Sequence, residues 1–109
     1  MQWYEQLYVG EKIGKKADKI RWKIEHNAGT FQVYLLTLSV HPDSLIDIIP
    51  AVELMQKGYP RRELYVIGME RGREDAMELA ARIVSEVYHK TGAFDVRDYL
   101  LNQKEAETI

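Results

Sequence analysis

Residues 64 to 90 limit the fold more than any other part of this chain. Leu64-Tyr65-Val66-Ile67-Gly68 is continuously apolar and β-favouring, the pattern of a strand covered on both faces. Soon after it, Ala76, Met77, Ala80, Ile83, Val84 and Val87 recur at the three–four spacing of one buried helical stripe. The spacing predicts a helix from about Arg73 to Lys90. Glu74 and Asp75 fall in its first turn, where the helix dipole favours acids, and Glu78 can reach Arg82 four residues on. Lys90-Thr91-Gly92 closes it with a cation and a glycine able to take the left-handed cap. A two-sided strand followed by such a helix points to a sheet carrying helices, not to a sandwich.

Two more strands can be read in the first half of the chain. Val33-Tyr34-Leu35-Leu36-Thr37-Leu38 has the same unbroken apolar character, and Trp3 to Val9, with Glu5 and Gln6 among aromatics, suits an edge. Between them, Ile13, Ala17, Ile20 and Ile24 form a helical stripe ended by Asn27-Ala28-Gly29. Ile20 to Ile24 also alternates strictly, which would suit a hairpin with Val33 to Leu38. The longer stripe and its cap favour the helix. After Leu38, Ser44 and Asp47 resemble a capping box ahead of a short helical turn, Pro50 punctuates it, and Ala51 to Lys57 reads as a further turn ended by Gly58. The expectation is an α/β fold: a small three-stranded sheet in β-α-β-α-β-α order with helices packed on it. The alternative is α+β, with a hairpin formed by residues 19–38. One domain over 1–101 is expected, with 102–109 as a flexible polar tail. Just before that tail, Asp95 is placed to cap a short helix whose Val96, Tyr99 and Leu100 share a face.

Composition closes several routes. At 109 residues there is room for one domain, and 46% hydrophobic residues are enough for a core. Cysteine is absent, which removes disulfides, thiol nucleophiles and thiolate metal sites. Met1-Gln2-Trp3-Tyr4-Glu5 lacks the basic and apolar regions of a signal peptide, and no apolar run approaches a membrane span, so a cytoplasmic location is expected. The net charge of −2 hides an uneven distribution. Lys12, Lys15, Lys16, Lys19, Arg21 and Lys23 cluster against Asp18 alone, whereas 41 to 56 holds Asp43, Asp47 and Glu53 with no Lys or Arg.

Candidate sites follow from the expected topology. Ligands of open parallel sheets bind beyond the carboxyl ends of the strands, which would gather His41 and Asp43 with Arg71 and Arg73, and with Ser39 and Glu11. His41-Pro42-Asp43-Ser44 is equally an ordinary strand-to-helix turn. Gly68-Met69-Glu70-Arg71-Gly72-Arg73 joins strand to helix, as phosphate loops do, but matches no such motif and is followed by two acids. His26, His41 and His89 have no ligand spacing, so no metal and no cofactor are implied. A nucleic-acid regulator would use the segment 12–23, with Lys12, Lys15, Lys16, Lys19 and Lys23 on phosphates and Trp22 on a base. The leading reading is protein–protein contact or self-association, as a homodimer or accessory module without catalysis. It rests on Trp3, Tyr4, Tyr8, Trp22, Tyr59, Tyr88 and Tyr99, aromatics of the kind that dominate interfaces and that also fill thin cores.

Overall fold

Apolar runs that alternate sides need cover on both, and the chain supplies it with helices above and below one sheet. The computed structural model describes residues 1–39, 41 and 44–107, with 103–107 as backbone only. It shows a small α/β domain with a mixed four-stranded sheet and three helices. Strand β1 (Gln2–Val9) leads through a 3-10 turn at Gly14–Lys16 to helix α1 (Ala17–Glu25). Strands β2 (Val33–Leu38) and β3 (Ile46–Pro50) follow, then 3-10 turns at Ala51–Met55 and Arg61–Glu63. Strand β4 (Tyr65–Arg71), helix α2 (Arg73–Thr91) and helix α3 (Val96–Glu107) complete the chain.

The strand order is β1-β4-β2-β3, with β1 parallel to β4 and β2 antiparallel to both β4 and β3. This corrects the expected three-stranded β-α-β-α-β-α arrangement. The segment expected as a helical turn is strand β3. Three of its five residues are isoleucines, whose branched side chains lose rotamer freedom in a helix and pack well on a pleat, and Pro50 biases Ile49 toward extended backbone. The Ser44–Asp47 contact exists, with Ser44 Oγ donating to Asp47 Oδ1 at 3.3 Å, but it braces the start of a strand. Residues 20–24 are helical, so the hairpin over 19–38 does not form; the hairpin in this chain is β2–β3, one element later.

Side-chain alternation in β2 shows the layering. Leu36 and Leu38 join Tyr4, Ile67, Ala76, Leu79, Ile83, Val87, Val96 and Leu100 on the face covered by α2 and α3. Val33 and Leu35 join Ile13, Ile20, Ile24, Leu54, Val66 and Met69 on the face covered by α1. Val66 and Met69 lie on one side although three residues apart, because a register shift between Leu36 and Thr37 interrupts the β2–β4 ladder. Helix α2 ends at Gly92 in the left-handed conformation, φ 75°, whose N–H bonds the carbonyl of Tyr88. Asp95 Oδ1 accepts from the Asp98 N–H at 3.0 Å and caps α3. That helix continues to Glu107, and 108–109 lie outside the described residues. Among the described residues no helix is long and apolar enough to cross a membrane.

Candidate functional site

The antiparallel direction of β2 separates the candidate ligand-binding residues. Arg71 ends β4 and pairs with Val33, the first residue of β2, while His41 follows the far end of β2. His41 and Arg73 therefore lie at opposite ends of the sheet and form no common site. His41 is exposed; its N–H donates to Ser39 Oγ at 3.1 Å in a local turn, and it borders a cavity of about 540 Å³ with Phe94 and Arg97. Asp43 lies outside the described residues. Arg71 donates from Nη1 to the Phe31 carbonyl at 2.7 Å, tying β4 to the loop before β2.

The loops after β1 and β4 do share an end, because those strands are parallel. There Lys12 forms an ion pair with Asp75, whose hydrogen bond and charge push the ammonium above the usual lysine range. The carboxylate of Glu70, a residue only 3% exposed, accepts the Arg71 N–H at 2.7 Å and occupies the space over Gly10, where a Cβ would meet it. Where a bound phosphate would take backbone N–H donors, the chain places its own carboxylate. Glu11, Lys12, Asp75, Glu78 and Arg82 line the rest of this small polar cavity, about 320 Å³. Among the described residues no three His, Asp or Glu side chains are grouped to hold a metal ion.

The basic segment divides. Lys12 is spent on Asp75, whereas Lys15, Lys16, Lys19 and Trp22 are exposed and Lys23 is half-buried along α1. The seven aromatics divide too. Tyr4 is buried, Trp3, Tyr8, Tyr59 and Tyr99 are half-buried, and Trp22 and Tyr88 are exposed.

One exposed apolar surface, on helix α2, was not legible as a site. Helix α2 buries Ala76, Leu79, Ile83 and Val87 and carries a second stripe, Met77, Ala81, Val84 and Tyr88, at spacings of four, three and four. Met77 and Tyr88 are 52% and 46% exposed, and Phe94, 54% exposed, stacks on the Tyr88 ring at 4.7 Å. Between this stripe and the free edge of β3 runs a groove. Its first part, about 440 Å³, is lined by Tyr34, Ile48, Glu53, Arg73 and Met77; its second, about 580 Å³, by Leu45, Ile46, Ala81, Val84, Tyr88 and Phe94. Arg73, expected at a ligand site, belongs to this groove.

On the opposite side of α2, Tyr8 Oη donates to Glu86 Oε2. Burial, and then the neighbouring carboxylate, push the phenol well above the ordinary tyrosine range. A folded-state pKa above the unfolded value means that the stabilisation is present below about pH 10 and is lost as pH rises past it. Tyr8→Phe should cost about 1 kcal/mol near neutrality, where only a hydrogen bond is removed. The difference from the parent should shrink by pH 11, as read by urea unfolding at both pH values.

Compared with known proteins, the chain matches no protein-family model, no curated protein and no solved structure.

Proposed function

We propose that this chain is a soluble, cytoplasmic protein-contact domain that works by self-association, with no catalytic role. The observation that carries the reading is the second apolar stripe of α2. A helix packed once on a sheet needs one apolar face; Met77, Ala81, Val84 and Tyr88 make another, at the four–three–four spacing of a helix-pairing seam. It lies beside an unpaired strand edge, so the exposed apolar surface is continuous.

A second copy fits this face by charge as well as by shape. A two-fold axis crossing α2 between Ala81 and Val84 makes the two helices antiparallel and sets Met77 opposite Tyr88 of the other copy. The same operation brings the acidic first turn, with Glu74, toward the basic last turn of the other copy. The small Ala81 at the centre lets the helices approach closely. Sedimentation equilibrium between 5 and 200 µM tests the reading. A mass rising to twice the 12.7 kDa of the chain supports it, and a strict monomer throughout overturns it.

A further inference from the structure

We propose that the outward face of α1 is a binding platform for single-stranded nucleic acid, independent of the self-association surface. Helix α1 buries Ile20 and Ile24 against the sheet and turns Lys19, Trp22 and His26 outward, with the half-buried Lys23 beside them. These positions follow at intervals of three, one and three, which is one helical face. Trp22 is 57% exposed, and its ring lies nearly parallel to that of His26, 4.2 Å between centroids and 19° between planes. The fold gains little from this ring on the surface, because the core under α1 is closed by isoleucines. A flat indole braced from one side by an imidazole is instead suited to receive another π-face.

The charge around it favours a polyanion. Lys15 and Lys16 are exposed in the turn that leads into α1, and Lys19 and Lys23 flank Trp22 within it. Of the two acids on this helix, Asp18 and Glu25, Glu25 is already paired with Arg21 at 2.7 Å. The carbonyl end of α1 would repel phosphate, but Arg61 covers it: its guanidinium donates to the Ile24 carbonyl and to Asn27 Oδ1, and Arg62 is exposed beside it. Cations therefore run the full length of the helix, roughly 12 Å from Lys15 to Lys23 at 1.5 Å per residue, enough to follow two or three phosphates. Stacking on Trp22 requires an unpaired base, which selects single strands over duplex.

Fluorescence anisotropy of labelled dT15 and U15 titrated with the full chain tests this, alongside a 15-base-pair duplex and vesicles rich in phosphatidylserine. Single-strand binding is expected at 50 mM salt. With two or three phosphates neutralised, it should weaken roughly tenfold at 200 mM. The dT15 and U15 arms distinguish DNA from RNA as the source of the strand. Trp22→Ala should lower affinity roughly tenfold with its salt slope unchanged, and Lys19→Ala/Lys23→Ala should reduce the slope. Neither variant should alter the unfolding midpoint, which separates a lost contact from a damaged fold. No binding at 50 mM, binding indifferent to Trp22→Ala, or equal affinity for the duplex overturns the proposal. Binding to vesicles alone overturns it in favour of a membrane surface. Mass measurements on the same samples report self-association separately, so failure of one reading leaves the other standing.

Discussion

Gly68→Ala is expected to destabilise the domain by about 3 kcal/mol, at the upper end of what an inserted methyl costs in a packed interior. A Cβ at Gly68 would lie 2.8 Å from the backbone oxygen of Tyr8 and 3.2 Å from the Tyr8 Cβ, with the Leu36 Cβ at 3.7 Å on the other side. A side-chain terminus can rotate away from such a contact, but a backbone carbonyl cannot. Tyr8 and Gly68 are register partners in the parallel β1–β4 pair, so relief requires the strands to part where they are hydrogen-bonded. Against a total stability of roughly 5–15 kcal/mol the loss is large, and a fall in Tm on the order of 10 °C should accompany it. Gly29→Ala is the matched control. Nothing lies within 4 Å of its Cβ position, so that variant should equal the parent or exceed it by about 0.5 kcal/mol. Urea unfolding followed by circular dichroism compares the two, and equal losses would contradict the close approach of β1 to β4.

How far the fold could be read from the residues depended on whether its determinants are local. Helix α2 and its glycine cap, helix α1, the Asp95 cap and strands β1, β2 and β4 all announce themselves through periodicity and end residues within a few positions. The direction of β2 does not. An apolar run covered on both faces reads identically whether its neighbour is parallel or antiparallel, and here the choice is made by pairing with β3. That one undetermined sign dispersed the candidate site, since gathering His41 with Arg71 and Arg73 required β2 and β4 to end on the same side. Strand β3 was hidden by Ser44 and Asp47, whose spacing suits a helix cap; the cluster of Ile46, Ile48 and Ile49 was the stronger signal.

The α2 stripe was hidden differently. Met77, Ala80 and Val84 read as part of one buried face with Ala76, Ile83 and Val87, but the doublets 76–77, 83–84 and 87–88 span an arc wider than one sheet can cover. The structure divides each doublet, with the first residue buried and the second turned outward or only partly covered. Lys12 shows the converse. Sequence groups it with the other lysines, and only the fold reveals Asp75 against it. Glu70 gave no local sign of burial, because what encloses it is Gly10, sixty residues away.

Ala81→Glu should convert the self-associated form to monomer at concentrations where the parent is paired. Ala81 is exposed in the middle of a nineteen-residue helix, and alanine and glutamate have similar helix propensity, so the fold has no reason to weaken. Across the proposed two-fold axis the new side chain meets Val84 of the other copy and approaches its own symmetry mate. It must then either stay hydrated and hold the helices apart or bury an unpaired charge. Disruption at the centre of an interface costs about 2–4 kcal/mol, which weakens association by roughly a hundredfold. Tyr88→Ala, nearer the rim and stacked on Phe94 of its own chain, should weaken association by less, about tenfold. Sedimentation equilibrium gives both shifts, and unfolding midpoints taken at low concentration should match the parent. If Ala81→Glu leaves the mass unchanged, the copies meet elsewhere, and the stripe on α2 is no part of their contact. If both variants are monomeric and fully stable, the face beside β3 is surface the fold does not need, kept for a partner.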